Sequence, residues 1–125
     1  MAGALALRQS DEAGLGIDVR TAGLLAQARL GVSAYSVDVM GELGVDISGH
    51  TPTELDQYLV SWADWIVPME RRQCHEIQRQ FPDSADKLRP FEFDIDDPYG
   101  ADKASYRECR DGIERAIRVW LATLQ

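Results

Sequence analysis

Ala63-Asp64-Trp65-Ile66-Val67-Pro68-Met69 is the stretch on which the fold turns. Its apolar run, residues 65–69, is too short for a helix and shows no polar alternation. That pattern predicts a strand buried on both faces, as in a parallel sheet. Pro68 has no amide hydrogen to give a ladder and is tolerable only near the strand's end. Parallel strands need long crossovers, usually helical, and the flanking sequence provides them. Upstream, Thr51-Pro52-Thr53-Glu54 has the form of a capping box with Pro at the first helical position, and Leu55, Tyr58, Leu59 and Trp62 follow on one helical face. Downstream from Arg71, Cys74, Ile77 and Phe81 face one way and Pro82 closes the helix.

Further out the same alternation continues. Met1 to Gln9 reads as a short helix, Gly14-Leu15-Gly16 as a turn, and Ile17-Asp18-Val19-Arg20 as a second strand ending in Thr21-Ala22-Gly23. Ser33 caps a helix whose apolar face is Ala34, Val37, Met40 and Leu43, with Gly44 at the left-handed stop. Asp86 to Arg89 is a further short strand, and Pro90 to Ala101 is a loop rich in acids and aromatics. Tyr106, Cys109, Ile113, Ile117, Trp120 and Leu124 then mark an amphipathic helix of about 20 residues. Helices alternating with short strands define an α/β chain, a parallel sheet covered by helices. No strand feeds the first helix.

The chain has 125 residues, enough for one domain with a real core and showing no linker or repeat. Thirteen Lys and Arg against 21 Asp and Glu give a net charge of −8. No basic footprint exists for nucleic acid or for an anionic membrane surface. No apolar run approaches a membrane span of about 20 residues, and Met1 to Leu7 lacks the basic start of a signal peptide. Cys74 and Cys109 are too few for a disulfide framework, which predicts free thiols in a reducing cytoplasm. His50 and His75 have no second ligand at metal-binding spacing, so neither metal nor cofactor is expected.

The chemistry-bearing candidate is the loop around Phe93-Asp94-Ile95-Asp96-Asp97-Pro98-Tyr99-Gly100. Crowded carboxylates push one pKa up, and a raised carboxyl suits a general acid. On composition alone the bland alternative, a solvated acidic turn leading into the last helix, outweighs that reading. Tyr99 lies outside any periodic stripe. Cys109 to Arg115 fits C-x5-R, but the span falls inside an amphipathic helix with its amides already committed, so a packed thiol is expected there instead of a phosphate loop.

Val19-Arg20-Thr21-Ala22-Gly23, Val39 through His50, Ala63 through Met69, Asp96-Asp97-Pro98-Tyr99-Gly100 and the final helix, taken in order, resemble the low-molecular-weight protein tyrosine phosphatases, within the arsenate-reductase-like superfamily. The match runs through essentially the whole chain. It implies a doubly wound three-layer α/β sandwich on a four-stranded parallel sheet of order 2-1-3-4. It also implies a cytoplasmic hydrolase acting on a phosphorylated protein or small aryl phosphate through a cysteinyl-phosphate. By the same resemblance, Asp97 is the general acid and Tyr99 walls the substrate site.

The family's first strand, which is central in the sheet, and its C-x5-R loop are then expected ahead of Met1. Without the nucleophile and its anion cradle the covalent step is lost. The 125 residues are therefore expected to show weak or no activity. One alternative is a non-catalytic interaction module of the same fold, with the open sheet closed by its own strands or by a homodimer. Arsenate reduction ranks lower, since no paired thiol stands near Cys74.

Overall fold

A computed structural model describes residues 1–24, 33–50, 53–96, 98 and 100–124. Five α-helices run in chain order: α1 (Ala2–Ala13), α2 (Ala34–Gly41), α3 (Gln57–Trp62), α4 (Arg72–Gln80) and α5 (Lys103–Ala122), with a 3-10 helix at Pro82–Lys87. Helix α5 packs against α1 and α2, and α4 packs against the 3-10 helix. The main core cluster lies around α5: Ile113, Ala116, Ile117 and Leu121 meet Leu5, Met40, Phe91 and Ile95.

The helix ends follow their local chemistry. Helix α1 runs four residues beyond the expected Gln9 and stops at Gly14, whose φ is 68°. There the Leu15 amide donates to the Ser10 carbonyl and the Gly14 amide to that of Asp11, a Schellman closure that leaves few orphan carbonyls. Helix α2 ends the same way, with Val45 bonded to Met40 and Gly44, φ 75°, bonded to Gly41. Its start is as expected: the Ser33 hydroxyl accepts the Ser36 amide at 3.1 Å. The buried face of α2 is Val39 and Met40, whereas Ala34 is exposed.

Helix α3 begins later than the capping-box reading placed it. Thr51 and Pro52 lie outside the described residues. Glu54 forms a parallel bridge with Gly23, whose amide donates to the Thr53 carbonyl and whose carbonyl accepts the Leu55 amide, both at 2.8 Å. Backbone committed sideways cannot also form a helical turn, so Asp56 becomes the cap, accepting the Leu59 amide at 2.9 Å.

Of the expected strands, the described residues show only isolated pairing. Ile66 bridges Leu88 in parallel: its amide donates to the Lys87 carbonyl and its carbonyl accepts the Arg89 amide, each at 2.9 Å. No longer ladder forms among the described residues at 17–20, 65–69 or 86–89. Pro68 removes a donor beyond Ile66, and the 3-10 helix consumes residues up to Lys87, leaving room for one bridge.

Helices α2 and α5 are tied by a charge network that periodicity does not reveal. The Arg110 side chain is buried and donates to the Val39 carbonyl at 2.8 Å and to Glu42 at 2.7 Å, while Arg107 grips the same carboxylate at 2.6 Å. The Arg107 hydrogen bond first, then that of Arg110, lowers the Glu42 pKa to about 2. A carboxyl lowered on folding stabilises the native state fully above its ordinary pKa near 4.3, about the unfolded value, and loses that contribution as pH falls toward about 2. The stability gap between wild type and Glu42→Gln, followed by urea unfolding, is therefore widest above pH ~4.3 and closes toward pH ~2; a gap independent of pH contradicts the network's role.

At Gly3, on α1, an added Cβ would collide with Cγ2 of Thr21 on the extended segment. Gly3→Ala is expected to destabilise by roughly 1–3 kcal/mol from overpacking. In a Thr21→Ala background the same change becomes neutral or stabilising by up to about 1 kcal/mol, the helix-propensity gain. Equal effects in both backgrounds, by chemical denaturation, would refute this contact.

Candidate active site

The acidic loop is pinned on both sides. The Ile95 amide donates to the Met69 carbonyl at 2.8 Å, fixing the loop to the end of the 65–69 segment. The Ile95 side chain is buried in the α5 cluster. Arg71 holds the loop's first half: its amide donates to Asp94 Oδ1 at 2.9 Å, and its guanidinium to the Glu92 carbonyl at 3.1 Å and the Phe91 carbonyl at 3.4 Å. Asp94, one of the clustered acids, is thus engaged in shaping the loop. Gln73 Oε1 accepts the amides of Met69 and Glu70, each at 3.1 Å, and closes the turn between the extended segment and α4.

Asp97 and Tyr99 themselves lie outside the described residues. Their neighbours are tightly placed. The Cys109 thiol donates to the Asp96 carbonyl at 3.7 Å. The Pro98 carbonyl accepts the Ala101 amide at 2.8 Å, and Gly100 takes φ 80°, a left-handed conformation that costs glycine little. Asp102 then caps α5, accepting the Ser105 amide at 2.9 Å and its hydroxyl at 2.7 Å. These bonds lower the Asp102 pKa, the side-chain bond first. Burial lowers the pKa of the Met1 amino group, against a smaller raising effect from Cys109.

The C-x5-R span from Cys109 to Arg115 lies within α5, as its amphipathic pattern requires. Cys74 lies within α4, half-buried, and burial is the leading cause of its raised thiol pKa. A helical amide run cannot turn inward on a phosphoryl group, so neither cysteine has a phosphate cradle. His50 and His75 are exposed. Among the described residues no group of three or more His, Cys, Asp or Glu could hold a metal ion. No helix among them is long and apolar enough to cross a membrane.

The loop-holding roles of Arg71 and Gln73 escaped the sequence reading, which counted Asp94 only among the loop's clustered acids. Buried Arg110 broke the expected stripe, and Leu121 takes the buried place expected of Leu124.

Helices thus surround segments paired by isolated parallel bridges, with an acidic loop held at the C-terminal end of the 65–69 segment. The sequence model of the family described as "Low molecular weight phosphotyrosine protein phosphatase" matches residues 1–125, and the chain belongs to that family. It is 36% identical over 114 residues to a "Probable low molecular weight protein-tyrosine-phosphatase EpsP" of Ralstonia nicotianae, covering 88% of this chain and 79% of that protein. "Arsenate reductase 2" of Staphylococcus epidermidis is 29% identical over 87 residues, covering 70% and 63%. Among solved structures, a YwlE mutant from Bacillus subtilis superposes with a TM-score of 0.89 at 25% identity, covering 98% of this chain and 87% of that one. The YwlE arginine phosphatase with a phosphorylated active-site serine gives 0.91, also at 25% identity.

Asp102 anchors the loop to α5 through its cap. Asp102→Ala should cost about 1 kcal/mol, while Asp102→Asn, which keeps a capping oxygen, stays within a few tenths. Urea unfolding measures both, and equal losses would show that capping is not Asp102's role.

Proposed function

We propose that this chain carries the acid-bearing part of a protein tyrosine phosphatase site that works through a cysteinyl-phosphate intermediate. The observation that supports it most is the pinning of Asp96, Pro98 and Gly100 around Asp97, at the end of the 65–69 segment, within a chain of this family. Asp97 protonates the departing tyrosyl oxygen and then draws a proton from the attacking water. Tyr99 walls the substrate. The substrate is a phosphorylated protein or small aryl phosphate, and the setting is cytoplasmic.

Among the described residues no C-x5-R span lies outside a helix, so the nucleophilic Cys and Arg of that mechanism have no counterpart there. Both cysteines of the 125 residues are helical, which favours weak or no turnover by these residues alone. In that form the chain is a non-catalytic module of the phosphatase fold. Arsenate reduction ranks below, although relatives of that name exist, because Cys74 and Cys109 sit on different helices, each half-buried.

A phosphotyrosine peptide tests this better than an activated aryl ester, because a tyrosyl leaving group with pKa near about 10 needs its proton. The 125-residue chain is expected at background. In a version extended upstream through a strand and C-x5-R, Asp97→Ala should lower kcat by about 10²- to 10⁴-fold. Turnover by the 125 residues that depends on Asp97 would overturn the placement of the nucleophile. An extended enzyme indifferent to Asp97→Ala would overturn the acid's assignment.

A further inference from the structure

A groove of about 500 Å³ opens between Trp65, the 89–92 segment and the last turns of α5. That size is ordinary for a small-molecule site, roughly 300–1,000 Å³. Its build follows from the bridge between Ile66 and Leu88. Side chains alternate along extended chain, so the neighbours Trp65 and Arg89 stand on the face opposite that of the bridged pair. On that same face Val67 packs against the α5 cluster. Helix α5 supplies the facing wall with Val119, Trp120 and Leu124, and the Trp120 indole N–H donates to the Arg89 carbonyl at 3.1 Å. Trp65 is 44% exposed and Leu124 40%, so the apolar lining is open to a ligand.

The groove also carries charges of both signs that the protein leaves unspent. The Arg89 guanidinium lies over the Trp65 ring, 4.6 Å from its centroid, and its Nη1 donates to the Leu88 carbonyl at 2.8 Å. Held at these two points, the fork keeps Nε and Nη2 for another acceptor. Arg8, Arg72, Arg79, Arg107, Arg110 and Arg118 each pair with a carboxylate, as suits a chain of net charge −8. Among the described residues, Arg89 pairs with no carboxylate and the Glu92 carboxylate with no cation. Both line this one groove. The backbone beneath Glu92 is fixed, because its carbonyl accepts the Arg71 guanidinium at 3.1 Å. Beside it the Thr123 hydroxyl donates to the Trp120 carbonyl at 2.6 Å and so presents only lone pairs.

A bare anion would meet Arg89 but be repelled by Glu92, and a bare cation would meet the reverse. We infer that this groove is a binding site for a small aromatic amino acid in its zwitterionic form. The carboxylate takes the open edge of the Arg89 fork, which the Trp65 ring holds flat against the wall. The ammonium donates to Glu92 and to Thr123 Oγ1, and the ring lies against Trp120 and Leu124. None of these groups belongs to the turn around Asp97, so the site stands apart from the phosphatase reading.

The probe is L-phenylalanine, titrated into the 125-residue chain and followed by NMR through the indole N–H signals of Trp62, Trp65 and Trp120. The expected result is saturable shifts at Trp65 and Trp120, with Trp62, which lies outside the groove, unmoved. Phenylalaninamide lacks the carboxylate and N-acetylphenylalanine lacks the ammonium; each should bind about tenfold more weakly. Attraction of the cationic amide to the chain's net negative charge works against that loss, so the comparison is a strict one. Arg89→Gln and Glu92→Gln, both at exposed positions, should lower phenylalanine affinity by a similar factor. The loss on amidation should vanish in Arg89→Gln, and the loss on acetylation in Glu92→Gln. Absence of saturable shifts at Trp65 and Trp120, or shifts led by Trp62, overturns the site. Equal binding of either derivative to the wild-type chain overturns the zwitterion, and that comparison does not depend on either variant folding.

Discussion

The backbone of Ile66 sets the plan of this molecule. By giving both its amide and its carbonyl to residues 87 and 89, it fixes the direction of the 65–69 segment and decides which side is satisfied. Its neighbours Trp65 and Val67 must then look the other way. One paired residue thus defines a bonded side toward Leu88. The acidic loop inherits its position from the same segment through the Met69 to Ile95 bond.

Around that axis the helices divide the remaining work. Helix α5 supplies more of the main core cluster than any other element and, through Arg110 and Arg107, holds α2 by the Glu42 carboxylate. Breaking such a pair while leaving the Val39 carbonyl buried is costly, because the orphaned acceptor loses its partner. The same helix carries Cys109, which holds the Asp96 carbonyl, and begins at the Asp102 cap. Core, charge network and candidate site are therefore coupled through a single helix. That coupling is consistent with a loop kept in place by the scaffold instead of by its own residues.

Much of this was legible in the sequence, for identifiable reasons. The α5 stripe from Tyr106 to Trp120, the Ser33 cap and the stops at Gly14 and Gly44 are local signals, and the structure keeps them, while Leu124 is exposed and Arg110 buried. The family was legible because several motifs recur in order. What failed was decided by tertiary contact: Glu54 left the expected helix for a bridge with Gly23, and Asp86 to Lys87 went into a 3-10 turn instead of a strand. Arg110 could not be read as buried, since only the facing Val39 carbonyl and Glu42 make its burial tolerable. Asp97 and Tyr99 rest on motif order, supported by the bonds that fix their neighbours.

The central claim is that the 65–69 segment is bonded on the side of residues 87–89 and holds the acidic loop at its end. Amide hydrogen exchange on the 125-residue chain alone tests it most directly. The account predicts slow exchange at Ile66 and Arg89, whose amides are bonded, and fast exchange at Trp65, Val67 and residues 18–22. Equal protection on both sides of the 65–69 segment would contradict it.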